Sequence, residues 1–463
     1  MEDVEEYVDA NEIDNNLSLK FNLKLYFKEF WLAITTALVC LLAIVQSSFV
    51  PLNLNEDLGA HILLIPAHFF FRHVRSFVVL FVIFASANKT AMLFESKRST
   101  VKVKILLHYL FISGITLVIT LCAGYLIIMR RNPTADTLFF SKYVDLNYRP
   151  FDNFIRFFRG LFVHDLPGNV LTTRLDHYNE FGTVKLSKGL GDGYNAPGFI
   201  IFGAIIAFST YFLGKDGEIL RNLIQLIHRS MLAIYWILLC YSPIALYFGG
   251  IVQFDIIRRE KLYGFLIIRY MLLLTSVVFI ALLQIFVILP CFHFVRTRKF
   301  GYDVIFRLSA LFPSAFVEGS TVRMVERTKQ YLKSRRFSSE AVDSYLNYCT
   351  LINGAGVVSG FAINAVFSLK LYSIDFDWAV VIKIIFTSML MSVPATEFIQ
   401  GYMFGIIFFL NSSMINPDFI MVILVADWLM DRVRVISNVV ADALTIDYIE
   451  SMNKTSTTST QSL

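Results

Sequence analysis

The sequence predicts an all-α polytopic membrane protein, and composition is the first of three observations behind that prediction. Of 463 residues 56% are apolar and only 17% charged, 45 are Phe, and the mean hydropathy is +0.61, beyond what a soluble core uses. Second, the apolar residues fall in blocks long enough to cross a hydrocarbon layer of about 30 Å, which takes roughly 20 helical residues. Third, the period-2 alternation of a membrane strand is absent, which argues against a barrel. The net charge of +5 gathers in short stretches between blocks, so it reports topology and gives no footprint for nucleic acid. Cys40, Cys122, Cys240, Cys291 and Cys349 lie in or beside apolar blocks without metal-type spacing and read as buried thiols.

Residues 1–30 are acidic and polar and precede the first apolar block, so no cleavable signal is expected and this stretch reads as a cytoplasmic tail. Blocks run from Trp31 to Val50, from about His61 to Ala87 and from Val103 to Met129. Lys20, Lys24 and Lys28 precede the first block, and the linker PLNLNEDLG after it has no Lys or Arg. The next linker is assigned Lys89, Lys97, Arg98, Lys102 and Lys104. By the positive-inside rule the chain starts in the cytoplasm and the third block ends outside. Residues 130–196 are polar and read as a long extracellular loop, and further blocks follow at Pro197 to Leu213, Leu223 to Phe254 and Leu262 to Val295. The last of these exits into the basic VRTRKFGYD, which returns the chain to the cytoplasm. The polar end, NKTSTTSTQSL, reads as disordered.

Two later stretches do not count as simple spans. Val304 to Val322 is apolar but broken by Pro313, Glu318 and Gly319, and basic sequence lies on both sides, so it is predicted to enter and leave on one side. Trp378 to Leu410 is too long for one upright helix and too short for two, and its middle reads SVPATEFIQG, which fits a broken hairpin. Interrupted backbone at membrane depth survives only inside protein or along a water-filled cavity, so two such interruptions point to a solute pathway. The plainer alternative for each is one long tilted helix kinked at proline.

The last apolar segment, Pro417 to Ile446, carries Asp427, Asp431, Arg434, Asn438 and Asp442 at spacings of four, three, four and four, which place them on one helix face. Each charge costs roughly 2.5 to 3.5 kcal/mol at a helix centre on the insertion scale, so the face must pair internally, bind ions or bind a solute. An amphipathic helix lying on the membrane is the alternative.

This segment resembles the final helix of the dicarboxylate/amino acid:cation symporters, the family of glutamate and neutral amino-acid transporters. Their pattern, roughly D-W-L-x-D-R-x-R-T-x-x-N-V-x-G-D, is matched by Asp427-Trp428-Leu429-Met430-Asp431-Arg432-Val433-Arg434-Val435, then Asn438 and Asp442. NAPGFIIFGAII, WILLCYSPIALYFGGIV and INGAGVVSGFAINAVF resemble the fourth, fifth and seventh helices, so the likeness covers most of the chain. The resemblance implies eight transmembrane helices plus two re-entrant hairpins, with no enzymatic activity. It divides the chain into scaffold helices at 31–102 and 197–261, a third helix at 103–129, a transport unit at 262–447 with hairpins at 301–322 and 378–414, and a cytoplasmic tail at 448–463. It further implies a homotrimer in the plasma membrane with both termini cytoplasmic. The activity implied is secondary active symport of an acidic or related amino acid or dicarboxylate, linked to Na+.

Carried over by position, Asp431 holds the solute's amino group, Arg434 a side-chain carboxylate and Asn438 further polar contacts, with Val435, Glu318 and Gln400 also at the solute site. Asp442, Asn438, Asn353 and Ser392 are the implied cation residues. The chemistry agrees, because a guanidinium offers a planar fork to a carboxylate and a short carboxylate suits an ammonium or a hard cation.

The chain also departs from the family. The motif N-M-D-G-T reads Asn353-Gly354-Ala355-Gly356-Val357, which removes a carboxylate and a hydroxyl and implies that one cation site is lost at Ala355. Phe361 stands where glutamate carriers have an acidic residue tied to proton and potassium coupling, and Val435 replaces a threonine. These departures motivate a second reading, a non-transporting or channel-like paralogue that keeps the fold. No H-E-x-x-H, G-x-S-x-G or P-loop motif occurs, and His61, His68, His73 and His108 read as packing residues. Sequons begin at Asn16, Asn88, Asn411 and Asn453; the topology places Asn16, Asn88 and Asn453 in the cytoplasm and Asn411 close against the membrane.

Overall fold

The computed structural model describes residues 23–49, 57–96, 100–129, 154–155, 158, 173–178, 184–191, 196–259, 263–335, 337–396, 405–406, 409–410 and 420–460. The first three helices are α1 (Leu23–Phe49), α2 (Asp57–Ser96) and α3 (Thr100–Gly124), the last extended by a π-helical turn at Tyr125–Met129. After two short strands, β1 (Thr173–Tyr178) and β2 (Val184–Gly191), come α4 (Ala196–Phe212) and α5 (Gly217–Arg259). Helices α6 (Tyr263–Leu283) and α7 (Leu289–Thr297) are joined by a second π-helical turn, Gln284–Ile288. Then follow α8 (Tyr302–Leu308), α9 (Phe312–Glu318), α10 (Thr321–Ser334), α11 (Ser339–Ile352), α12 (Ala355–Leu371), α13 (Trp378–Met391) and α14 (Ile420–Thr460).

Stretches long and apolar enough to cross a membrane are Phe77–Phe94, Thr100–Met129, Gly217–Val252, Ile267–Thr297 and Ser339–Leu371, with shorter apolar helices at Ile34–Ser47, Ala196–Phe212 and Trp378–Met391. Their outward faces carry large apolar side chains such as Leu107, Phe111, Ile267 and Met271, while polar groups such as Asn364 and Asp442 are buried. That inversion suits a hydrocarbon solvent, and the chain is an integral, multi-pass membrane protein. Among the described residues the polar loop holds the one β-element, the antiparallel pair of β1 and β2, which the sequence reading did not anticipate.

The closest packing gathers the helices into two groups, which meet where α4 touches α13, α5 touches α14 and α1 touches α9. Helix α2 packs on α4 and α5, and α1 on α5. Helix α14 runs through the other group, touching α6 to α12, while α12 also packs on α3, α6 and α13. One apolar core joins α2, α3 and α12 through residues such as Val78, Leu117, Val358 and Phe367, and a second surrounds α14 through Tyr109, Leu308, Leu346 and Val440.

Several expectations change. Lys89 is not a linker charge: α2 continues to Ser96, and both Lys89 and the sequon residue Asn88 are buried within it. Of the cysteines Cys349 is buried, Cys40 is half-buried, and Cys122, Cys240 and Cys291 stand on the outer surface, where an apolar thiol needs no protein cover in lipid. The stretch that includes the polar tail stays helical to Thr460. At the first interruption the chain turns at Gly319, which adopts φ 62°, and extended Ser320, so the basic sequence from Arg323 onward forms the returning arm α10.

Candidate functional site

The site is organised by breaks in helices. Between α11 and α12 the chain leaves the helix at Asn353, with ψ 96°, and Gly354. A Cβ on Gly354 would lie 2.6 Å from that of Ser392, and one on Gly356 would lie 2.8 Å from Asn438 Oδ1. Glycines at these two positions let the turn after α13 and the face of α14 close on the break.

Four polar residues of the stripe line this contact and are buried. Arg434 Nε lies 2.6 Å from Asp431 Oδ1, and Arg434 Nη1 donates to the Ala395 carbonyl at 3.0 Å, in the turn 392–396. Asn438 Oδ1 accepts from the Gly356 N–H at 3.0 Å, and its Nδ2 donates to Thr321 Oγ1 at 3.3 Å at the start of α10. The same helix face thus touches the turns of both interrupted stretches.

One turn further along, Asp442 accepts three hydrogen bonds. Tyr109 Oη of α3 donates to Oδ1 at 2.8 Å, Asn353 Nδ2 to Oδ1 at 2.9 Å, and Thr350 Oγ1 to Oδ2 at 2.9 Å. Asn353 Nδ2 also donates to the Asn438 carbonyl at 2.9 Å. A carboxylate, a carbonyl and a hydroxyl converge at the break, the hard oxygen donors that an alkali cation prefers. Among the described residues no cluster of three or more His, Cys, Asp or Glu forms a metal site.

The sequence-predicted residues distribute as follows. Asp431 with Arg434, and Asn438 with Asn353 and Asp442, form two buried groups along one face of α14. Ser392 lies against Gly354 and donates to the Met389 carbonyl at 2.6 Å. Val435 is buried in the apolar cluster around α14, together with Ala355. Glu318, at the end of α9, pairs with Arg323 at 3.8 Å and Arg327 at 3.9 Å on the returning arm, and Arg323 stacks on Trp236 of α5 at 3.7 Å from the ring centre. Gln400 and the Asp427 side chain lie outside the described residues. Sequence reasoning missed Tyr109, Thr350 and Thr321, for which no local signal exists, and it misplaced Lys89.

The fold and this site define a multi-pass helical membrane protein with a buried, charged polar face set between interrupted helices. The chain belongs to the Sodium:dicarboxylate symporter family, which its residues 30–449 match. That is a family of transporters, not of enzymes. The chain is similar to excitatory amino acid transporter 3 of Homo sapiens, at 24% identity over 292 residues, or 62% of this chain and 54% of that protein. Excitatory amino acid transporter 1 of Mus musculus is 22% identical over 267 residues, 58% of this chain and 49% of that protein. The chain spans about half the length of the curated relatives it matches.

Proposed function

We propose that the protein is a secondary active symporter for an acidic or related amino acid, linked to sodium with altered coupling. The observation that carries this is the buried Asp431–Arg434 pair at 2.6 Å, in contact with the turn after α13 and one helical turn from Asn438, which donates to Thr321 of α10. A solute bearing both an ammonium and a carboxylate can replace the pair: its carboxylate takes the guanidinium fork and its ammonium takes Asp431. Each charge then exchanges one partner for another and none is left uncompensated in the interior. The network at Asp442, Asn353 and the Asn438 carbonyl is the cation site in this reading. Ser392, Glu318, Val435 and Gln400 belong to the surrounding walls.

In this reading the two helix groups meet along the core shared by α2, α3 and α12. Helices α1, α2, α4 and α5 form the scaffold, and α3 with α6 to α14 forms the unit that moves, including one hairpin at α8–α10 and a second beginning at α13. Eight membrane helices, a homotrimer and a plasma-membrane location with cytoplasmic termini complete the reading by family likeness. Its test is uptake of labelled aspartate into proteoliposomes under an imposed sodium gradient. Wild type concentrates the label and Arg434→Ala does not; absence of uptake of any amino acid by wild type refutes the reading.

A second reading is a non-transporting or channel-like member, favoured by the fully buried, apolar Ala355, Val357 and Phe361 inside α12. It predicts no sodium-dependent flux in wild type. Gain of sodium dependence in Ala355→Asp with Val357→Thr marks a modified transporter; no gain marks a relic.

A further inference from the structure

Lys89 projects from α2, in the first packing group, and is buried inside the stretch Phe77–Phe94. Its Nζ donates to the Val393 carbonyl and to Thr396 Oγ1, both in the turn that follows α13. This turn sits past a helix C-terminus, where the last carbonyls have no helical partner and the macrodipole is negative, so it is a natural place for positive charge. Pro394 removes a backbone donor from the same turn. The neighbouring carbonyl of Ala395 is taken by Arg434 from α14. Two cationic side chains from different helix groups therefore hold the carbonyls of Val393 and Ala395, on either side of Pro394, in one short turn.

A lysine at membrane depth is costly unless its position serves a purpose. An ammonium offers three donors and no acceptor, and here it gathers a carbonyl and a hydroxyl oxygen, the ligand types an alkali cation gathers. We propose that Lys89 is a resident cation of this turn: its ammonium, supplied by α2, holds Val393 and Thr396 as a bound monovalent ion would, so the turn stays closed against Arg434 without a free cation there.

The test is hydrogen exchange at the backbone amides of Ser392, Val393, Ala395 and Thr396 in the full-length protein in lipid nanodiscs, with no solute added. Its outcome is thus independent of what is transported. In wild type and Lys89→Arg the turn is protected equally in sodium, potassium and choline chloride. In Lys89→Met exchange in choline rises by about tenfold or more, the factor carried by one lost charge-assisted hydrogen bond, and added methylammonium or sodium restores protection. Unchanged exchange in Lys89→Met overturns the proposal, as does wild-type protection that depends on sodium. If Lys89→Met does not fold, Thr396→Val decides: exchange raised a few-fold in every salt supports the proposal, and exchange at the wild-type level overturns it.

Discussion

The Asp431–Arg434 pair permits a quantitative test through a double-mutant cycle. Both side chains are almost wholly buried, at 0% and 3% exposure, and their charged atoms lie 2.6 Å apart. Arg434→Ala takes from the Asp431 carboxylate its 2.6 Å partner and leaves it facing the more weakly coupled Arg432, and Asp431→Ala leaves Arg434 its hydrogen bond to the Ala395 carbonyl. Removing one member of a buried pair costs about 3–5 kcal/mol, because the remaining charge has lost both water and partner. Asp431→Ala falls at the lower end, since the Ala395 hydrogen bond persists. Removing both members removes the unbalanced charge too, so the double variant is more stable than the sum of the singles predicts by roughly 1–3 kcal/mol, the coupling of two buried charges in direct contact. Denaturant titration of the purified protein in one lipid–detergent mixture measures all four corners. Additivity within about 0.5 kcal/mol refutes the pairing, because uncoupled sites add to that tolerance.

Further predictions follow from neighbouring contacts. Tyr109→Phe removes the 2.8 Å donor to Asp442 and costs roughly 1.5–3 kcal/mol in sodium-free titration. The loss narrows when sodium is added, because a cation at Asp442 binds the folded state and replaces the missing donor. Gly356→Ala forces a Cβ to within 2.8 Å of Asn438 Oδ1 and 3.0 Å of the Arg434 carbonyl, so it lowers stability by about 1–3 kcal/mol through overpacking, read from the same titration. Glu318→Gln loses two ion pairs longer than 3.5 Å to half-exposed arginines and changes stability by less than about 1 kcal/mol.

How far the site was legible in the sequence depends on the distance over which each contact acts. The face of α14 could be read because Asp431, Arg434, Asn438 and Asp442 recur at helical spacing within apolar surroundings, a pattern written in one segment. The interruption near Gly319 was legible for a similar reason: glycine and glutamate inside an apolar run leave few backbone options. Tyr109 was not legible, because its partner Asp442 lies 333 residues away and a tyrosine in an apolar block is ordinary packing. Lys89 was misread because the charge rule counts lysines beside apolar blocks and does not register which way a side chain points. The pairing of β1 with β2 was missed because β1 does not alternate apolar and polar residues and β2 does so only over Val184–Ser187, too short a run to stand out.

The charges around the break bear on ion coupling. In the proposed reading, the family likeness sets buried Ala355 at a carboxylate position, and the interior then holds one negative charge fewer for a cation to neutralise. Lys89 brings a positive charge of its own to the turn after α13, and Arg434 brings another to the same turn. Buried charge must be balanced by a partner, and a covalently attached cation balances it in every conformation in which the contact persists, whereas a sodium ion does so only when bound. Each carboxylate removed and each ammonium added therefore lowers the number of free cations that closure of the site requires. In the proposed reading Asp442, which accepts from Tyr109, Asn353 and Thr350, is the carboxylate for which a free cation competes. On this reasoning sodium dependence, where measured, should follow one binding step with a Hill coefficient near one, and Asp442→Asn should abolish it while Ala355→Asp raises it above one.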